Sequence, residues 1–423
     1  MRISMSGTAI LVWVVIGHPL PAAAQVDQQL AQQYFKEAQA LCERDGGRLW
    51  GVSLCGPMVI ADAATGTIAT SQLAPAGDRP RALGYVNAPL QWGGVIWSAY
   101  NWQMIPRDDR GERGRLFMHE LFHCIQGRLG WGAIAQVAGP GENSHLDSLD
   151  GRYWMRLEWR ALARALGVSR PARIAAIADA LAFRAARHQQ FPGAAAREHI
   201  VEINEGIATY TQYVTGSEDA QDAIRNAVAG LAGAESGTSF IRTFAYASGA
   251  GYGLLLDALS PGWHRKITAA SDFGELLSAA AGVTRMPDAA AAAARYDAAR
   301  VRAAEEQRDR EQQAIIATLR RRYVDGPVLI VPRGGSGTSN NMGATVIPGA
   351  GTVFRAMANK GAWGSFDAQG GALVAADEQT ISLPAPVVVD ATTLKGDGWT
   401  ATVGPGWAVQ PGPRPGSFQV VRQ

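Results

Sequence analysis

Histidines 119 and 123 flank Glu120 in the segment His119-Glu120-Leu121-Phe122-His123, which has the form H-E-x-x-H. On an α-helix, residues four apart lie one above the other on one face, so both imidazoles can reach a single metal ion. Glu120 leaves the helix from nearly the same side, where it can act on water at that metal. The flanks predict such a helix. Arg115-Leu116-Phe117-Met118 and Leu121-Phe122 supply its apolar side, and Asp108-Asp109 place acids near its start, where the helix dipole favours them. Chance alone yields such a motif in about one of a hundred chains of this composition. The competing reading is a pair of core histidines beside a solvated glutamate.

The 423 residues suffice for two or three domains and a large core. With 47% hydrophobic and 18% charged residues, the composition is that of a folded globular protein. A formal net charge of +2 with no dominant Lys/Arg block gives no argument for nucleic acid or for an anionic membrane surface.

The first residues read as a targeting segment. Met1-Arg2 is a short positive start, residues 9–16 are an apolar run, and Pro21-Ala22-Ala23-Ala24 supplies small residues for cleavage after Ala24. A signal peptide over 1–24 implies export, to a periplasm or beyond. No later stretch is long and apolar enough to span a bilayer. In an exported protein, Cys42 and Cys55 are expected to pair. Cys124 directly follows His123, and one step along a helix turns it off the histidine face, so it reads as a buried small residue.

The pattern predicts an α+β fold in which an N-terminal antiparallel sheet precedes a mainly helical region and a small all-β domain ends the chain. Residues 26–45 carry a helical apolar stripe. Met58-Val59-Ile60 and Thr67-Ile68-Ala69 flank a turn, and residues 95–102 form a further strand, one able to border a cleft and pair with an extended substrate. Helices are expected over 113–126, 151–167, 170–188, 199–214, 218–232 and 246–259. Residues 288–322, Ala-rich and then dense in Arg and Glu, read as one long solvated helix. After Asp325-Gly326-Pro327 the composition turns to glycine, proline and β-branched residues, as in short strands. The expected boundaries are a catalytic domain over 25–284, a connecting charged helix over 285–323 and the β domain over 324–423. The last is a candidate for partner or glycan contact. Gly249-x-Gly251-x-Gly253 lies inside a helical pattern and suits close helix packing.

Two histidines do not complete a catalytic zinc site, which needs a third protein ligand and an open position. The extended pattern H-E-x-x-H-x-x-G-x-x-H fails, because Gln126 and Leu129 stand where Gly and His are required. The missing ligand must come from elsewhere, from His145, Glu158, Glu202 or Glu205. Glu158 has arginines at 156 and 160 and suits an ion pair. Glu202 and Glu205, three apart, share a helical face, so either can be the ligand.

Asn204-Glu205-Gly206-x-Ala208-x-Tyr210 resembles the N-E-G-x-A-x-Y segment of gluzincin metallopeptidases, in which that Glu is the third zinc ligand. The resemblance implies a zincin-like domain with a Zn2+ site of His119, His123 and Glu205, with Glu202 as the alternative, and with Glu120 as general base. The 81 residues between His123 and Glu205 depart from the family's spacing, and a helical pair over 146–188 accounts for the insertion. Tyr246-Ala247-Ser248-Gly249 resembles the Y-x-x-G opening of a later helix in that family, which implies that Tyr246 donates to the oxyanion, with Tyr252 as fallback. The likeness covers about residues 115–260. No G-A-M-E-N-type segment for amino-terminus recognition is present, so the implied activity is that of an endopeptidase on peptide or protein substrates. A catalytically silent zincin-fold binding or scaffold protein is the alternative.

Overall fold

A computed structural model describes residues 25–131, 143–339, 344–389 and 392–423. The targeting segment expected over 1–24 lies outside them. The molecule is α+β, and the chain forms two compact units, Met1–Arg302 and Ala303–Gln423.

In the first unit, α1 spans Gln28–Asp45. Asp27 caps it by accepting from Leu30 N, and Gly46 ends it in the left-handed region at φ 57°. Ala31, Tyr34, Phe35, Ala38 and Cys42 form its buried stripe. Cys42 and Cys55 are disulfide-bonded, tying the end of α1 to the approach to the sheet. The bond closes a short loop (13 residues apart) in the unfolded chain. Replacing both cysteines with alanine is therefore expected to lower stability by about 2–4 kcal/mol, read as an earlier denaturant midpoint.

Strands β1 (Met58–Ala61), β2 (Ile68–Thr70), β3 (Ala88–Trp92) and β4 (Val95–Asn101) form a sheet in the order β2-β1-β4-β3. The expected antiparallel sheet is in fact mixed, because β1 and β4 run parallel, Met58 opposite Ser98. The two hairpins β1–β2 and β3–β4 are joined by the long segment 71–87, which carries the chain back so that β4 enters beside β1 in the same direction. Gly93 and Gly94, both at positive φ, make the two-residue turn between β3 and β4. With β1 paired to Ser98–Asn101 and β3 to Val95–Ala99, β4 is an interior strand of this sheet and not the edge strand that pairing with an extended substrate needs. From Trp97 to Tyr100 both of its faces are covered, while Val95 and Ile96 are exposed. Tyr100 joins the large core, while Trp97 and Ala99 pack with Val59, Leu83 and Trp92 on the opposite side. Double burial explains why Trp97–Tyr100 does not alternate with exposed polar residues, the buried Ser98 hydroxyl bonding that of Tyr100 at 2.6 Å.

Against this sheet lies α2 (Arg110–Ile125), followed by α3 (Leu149–Gly167), α4 (Arg170–Gln190), α5 (Ala194–Val201), α6 (Ile207–Gly216), α7 (Ala220–Ala234), α8 (Phe244–Leu259) and α9 (Phe273–Ala281). The helix expected over 199–214 is interrupted: residues Glu202–Gly206 form a π turn between α5 and α6. The turn lies against Gly249 of α8, where an added Cβ would lie 2.2 Å from the Gly206 carbonyl oxygen. The backbones meet there, and Gly253 likewise leaves room for the Tyr210 ring. The glycine series thus serves close helix packing.

Residues 288–322 do not form one helix. After α10 (Ala289–Ala293) and a 3-10 turn, Asp297 takes a left-handed φ of 63° before α11 (Ala298–Arg320) begins. The break follows from a tertiary anchor: the Tyr296 hydroxyl donates to Asp179 at 2.7 Å, and Arg160 holds the Tyr296 carbonyl at 3.0 Å. The described strands of the second unit form a seven-stranded and a six-stranded sheet. Leu329, Val331, Ile381 and Leu383 of the first pack with Phe366, Leu394, Trp399 and Ala401 of the second in one core. No helix among the described residues is long and apolar enough to cross a membrane.

Candidate metal centre

Helix α2 is fixed at both its start and its buried side. Asp109 accepts from Glu112 N at 2.8 Å and caps it, and Arg113 pairs with Glu37 of α1 at 2.8 Å. Phe117, Met118, Leu121 and Phe122 are buried in the main core. This packing leaves His119, Glu120 and His123 facing the segment that contains the π turn.

Three donor atoms converge there. His119 Nε2 and His123 Nε2 are 3.1 Å apart, and Glu205 Oε2 lies 3.3 Å from the first and 3.5 Å from the second. Ligands bound tetrahedrally at about 2.0–2.1 Å stand about 3.3–3.4 Å from one another, so the triangle has the size that zinc requires. Both imidazoles are oriented by carboxamides on their far nitrogens. His119 Nδ1 meets Gln212 Oε1 at 2.9 Å, and His123 Nδ1 meets Gln126 Oε1 at 2.9 Å. A carboxamide oxygen accepts only, so each Nδ1 carries the proton and each Nε2 presents a lone pair. Two imidazole nitrogens and a carboxylate oxygen facing one point form a group that could hold a metal ion.

Glu205 divides its oxygens between two tasks. Oε2 faces the histidines, while Oε1 accepts from Arg242 and from Asn204 Nδ2, the latter at 3.2 Å. Burial alone would raise the carboxyl's pKa, but the hydrogen bonds and charges of His119 and His123 hold it far below the usual carboxylate range. For His123, burial works downward, yet the hydrogen bond and charge of Glu205, with the charge of Glu120, raise it above the ordinary imidazole value. Glu120 is buried and makes no hydrogen bond or ion pair with the described residues. Burial pushes its pKa upward. A desolvated, unpartnered carboxylate beside three converging donors is poised to exchange a proton.

Tyr246 stacks on His119, ring centroids 5.5 Å apart at 12°, and its hydroxyl interacts with Glu205 and Arg242. Tyr252 turns elsewhere, donating to buried Glu158 at 2.8 Å.

The other ligand candidates are also engaged away from the centre. Glu202 accepts from both ends of Arg184, at 2.6 and 2.7 Å. His145 meets Glu198 at 2.8 Å. Glu158 is ion-paired, though with Arg187 rather than with its helix neighbours, since Arg156 and Arg160 both hold Glu235. Cys124 is only partly buried, its thiol pushed up to about 12 by desolvation, and it is not among the converging groups.

The residues that sequence reasoning missed are Gln126, Asn204, Gln212 and Arg242. Two had a signal: Gln126 lies three residues after His123 on the same helical face, and Arg242 lies one turn before Tyr246. Gln212 had none, because its role depends on how α6 crosses α2. No family model, no curated protein and no solved structure matches the chain.

Proposed function

We propose that this chain is a zinc-dependent peptide hydrolase of the gluzincin kind, with a zincin-like first unit. His119, His123 and Glu205 would hold the metal. The observation that carries the reading is the donor triangle of 3.1, 3.3 and 3.5 Å, with both histidines oriented by acceptors on Nδ1. Zinc bound there supplies Lewis acidity, which polarises a carbonyl and makes water acidic near neutral pH. Glu120 takes the proton of the attacking water on a carboxylate oxygen and passes it to the nitrogen of the leaving amine. Its burial suits both halves of that task, since a raised pKa brings the acid and base forms closer in energy. Tyr246, stacked on His119, would donate to the oxygen that gains charge. The Cys42–Cys55 bond supports an exported protein, as expected from a signal peptide over 1–24.

The test is metal content coupled to cleavage. The full chain should purify with, or reconstitute to, one zinc per molecule. A chelator should abolish cleavage of a mixed peptide library, and added zinc should restore it. Failure to hold stoichiometric zinc after reconstitution would reject the proposal in favour of a silent scaffold.

A further inference from the structure

Arg242 sits in the turn that leads into α8, and its side chain is 44% exposed. An arginine so placed can remain in water. Instead its guanidinium reaches inward to Oε1 of Glu205, a carboxylate that is itself almost fully buried. Asn204 Nδ2 donates to the same oxygen at 3.2 Å, and the Tyr246 hydroxyl interacts with both partners. Oε2 alone is turned toward His119 and His123.

We infer that Arg242 is a positioning residue that restricts Glu205 to one metal-facing oxygen and so keeps a coordination position free for substrate. This rests on the metal site proposed above. A carboxylate can bind a metal through one oxygen or through two, and the second mode would occupy the position that catalysis needs. Two donors on Oε1 oppose that mode. Arg242 also places a positive charge next to a group that is to hold a cation, which weakens metal binding by repulsion. A residue present only to support the site would not have this sign. The same charge draws electron density from the carboxylate and leaves a bound metal the stronger electrophile.

The sign gives a test that does not depend on turnover. The full chain, its Arg242→Ala variant and its Arg242→Lys variant are loaded with cobalt in place of zinc, and zinc affinity is measured by competition. In Arg242→Ala, a second oxygen joins the metal, so the visible absorption of cobalt falls as its coordination number rises. Zinc affinity in that variant stays within about threefold of the wild type or tightens, whereas a residue that merely supports a ligand costs about 10–100-fold. Arg242→Lys keeps the charge and one bond to Oε1, and recovers most of the absorption. An Arg242→Ala spectrum identical to the wild type overturns the inference, as does a loss of zinc affinity of tenfold or more. A wild-type chain that takes up no stoichiometric cobalt overturns the metal site itself, and the inference with it.

Discussion

Replacing Glu120 with glutamine is expected to lower peptide cleavage by on the order of 10²–10⁴-fold while leaving one zinc per chain. Glutamine has the size and shape of glutamate, so α2 and the neighbouring histidines keep their places, and the three converging donors are untouched. What is lost is a carboxylate able to take a proton from water and return it to the leaving amine. The same substitution has a second readout of opposite sign. Burial raises the pKa of Glu120, so folding penalises its ionised form. Stability from this group is therefore full at low pH and is lost as pH rises through the folded pKa. In chelated protein, the variant should melt higher than the wild type near neutral pH, and the gap should close as pH falls below the carboxylate range. Retained cleavage with zinc bound would remove Glu120 from the mechanism. A lower melting temperature at neutral pH would contradict its being an unpartnered buried carboxylate.

The first of these residues could be read from the chain because one helix satisfied two periodicities at once. The apolar stripe of α2 and the His119/His123 spacing both demand 3.6 residues per turn, so motif and packing agreed on one helix. Glu205 was harder. On a regular helix Glu202 and Glu205 are neighbours, and nothing local separates them. The π turn at Glu202–Gly206 widens that helix, sending Glu202 to Arg184 and Glu205 to the histidines. A tertiary contact accompanies it, the backbone of α8 at Gly249 meeting Gly206. A tertiary contact also hid the break at Asp297, where an Ala-rich run with no glycine or proline is stopped because Tyr296 is anchored on Asp179. The ion pairs of Arg184 and Arg187 join residues 11 to 88 apart, across different elements. No helical spacing could announce them. Strands such as Met357–Gly361 and Gly364–Ala368 were missed because glycine, lysine and aspartate carry weak strand preference, and their pairing partners determine them instead.

That separation of Glu202 from Glu205 predicts two substitutions with different consequences. Glu205→Ala should cost zinc affinity more than the roughly 10–100-fold typical of a residue that only supports a ligand. Glu202→Ala should leave zinc stoichiometry at one and act on stability. Glu202 and Arg184 are both buried, and removing the carboxylate leaves the guanidinium with the weaker neighbours Asp272, at 3.1 Å, and Glu158, at 3.8 Å. Breaking one side of a buried ion pair typically costs about 3–5 kcal/mol, and the remaining acids should keep the loss toward the lower end. For a unit of this size that is a fall in melting temperature on the order of 10 °C. The mechanism differs from that at Glu205, whose carboxylate stays linked to the exposed Arg242 and faces a metal rather than a sealed interior. Calorimetry and zinc analysis on the two variants distinguish the roles directly. If Glu202→Ala lost the metal and Glu205→Ala kept it, the π turn would be directing the wrong carboxylate and the proposed centre would have to be rebuilt around Glu202. If both kept it, the two histidines would not share a metal with either acid.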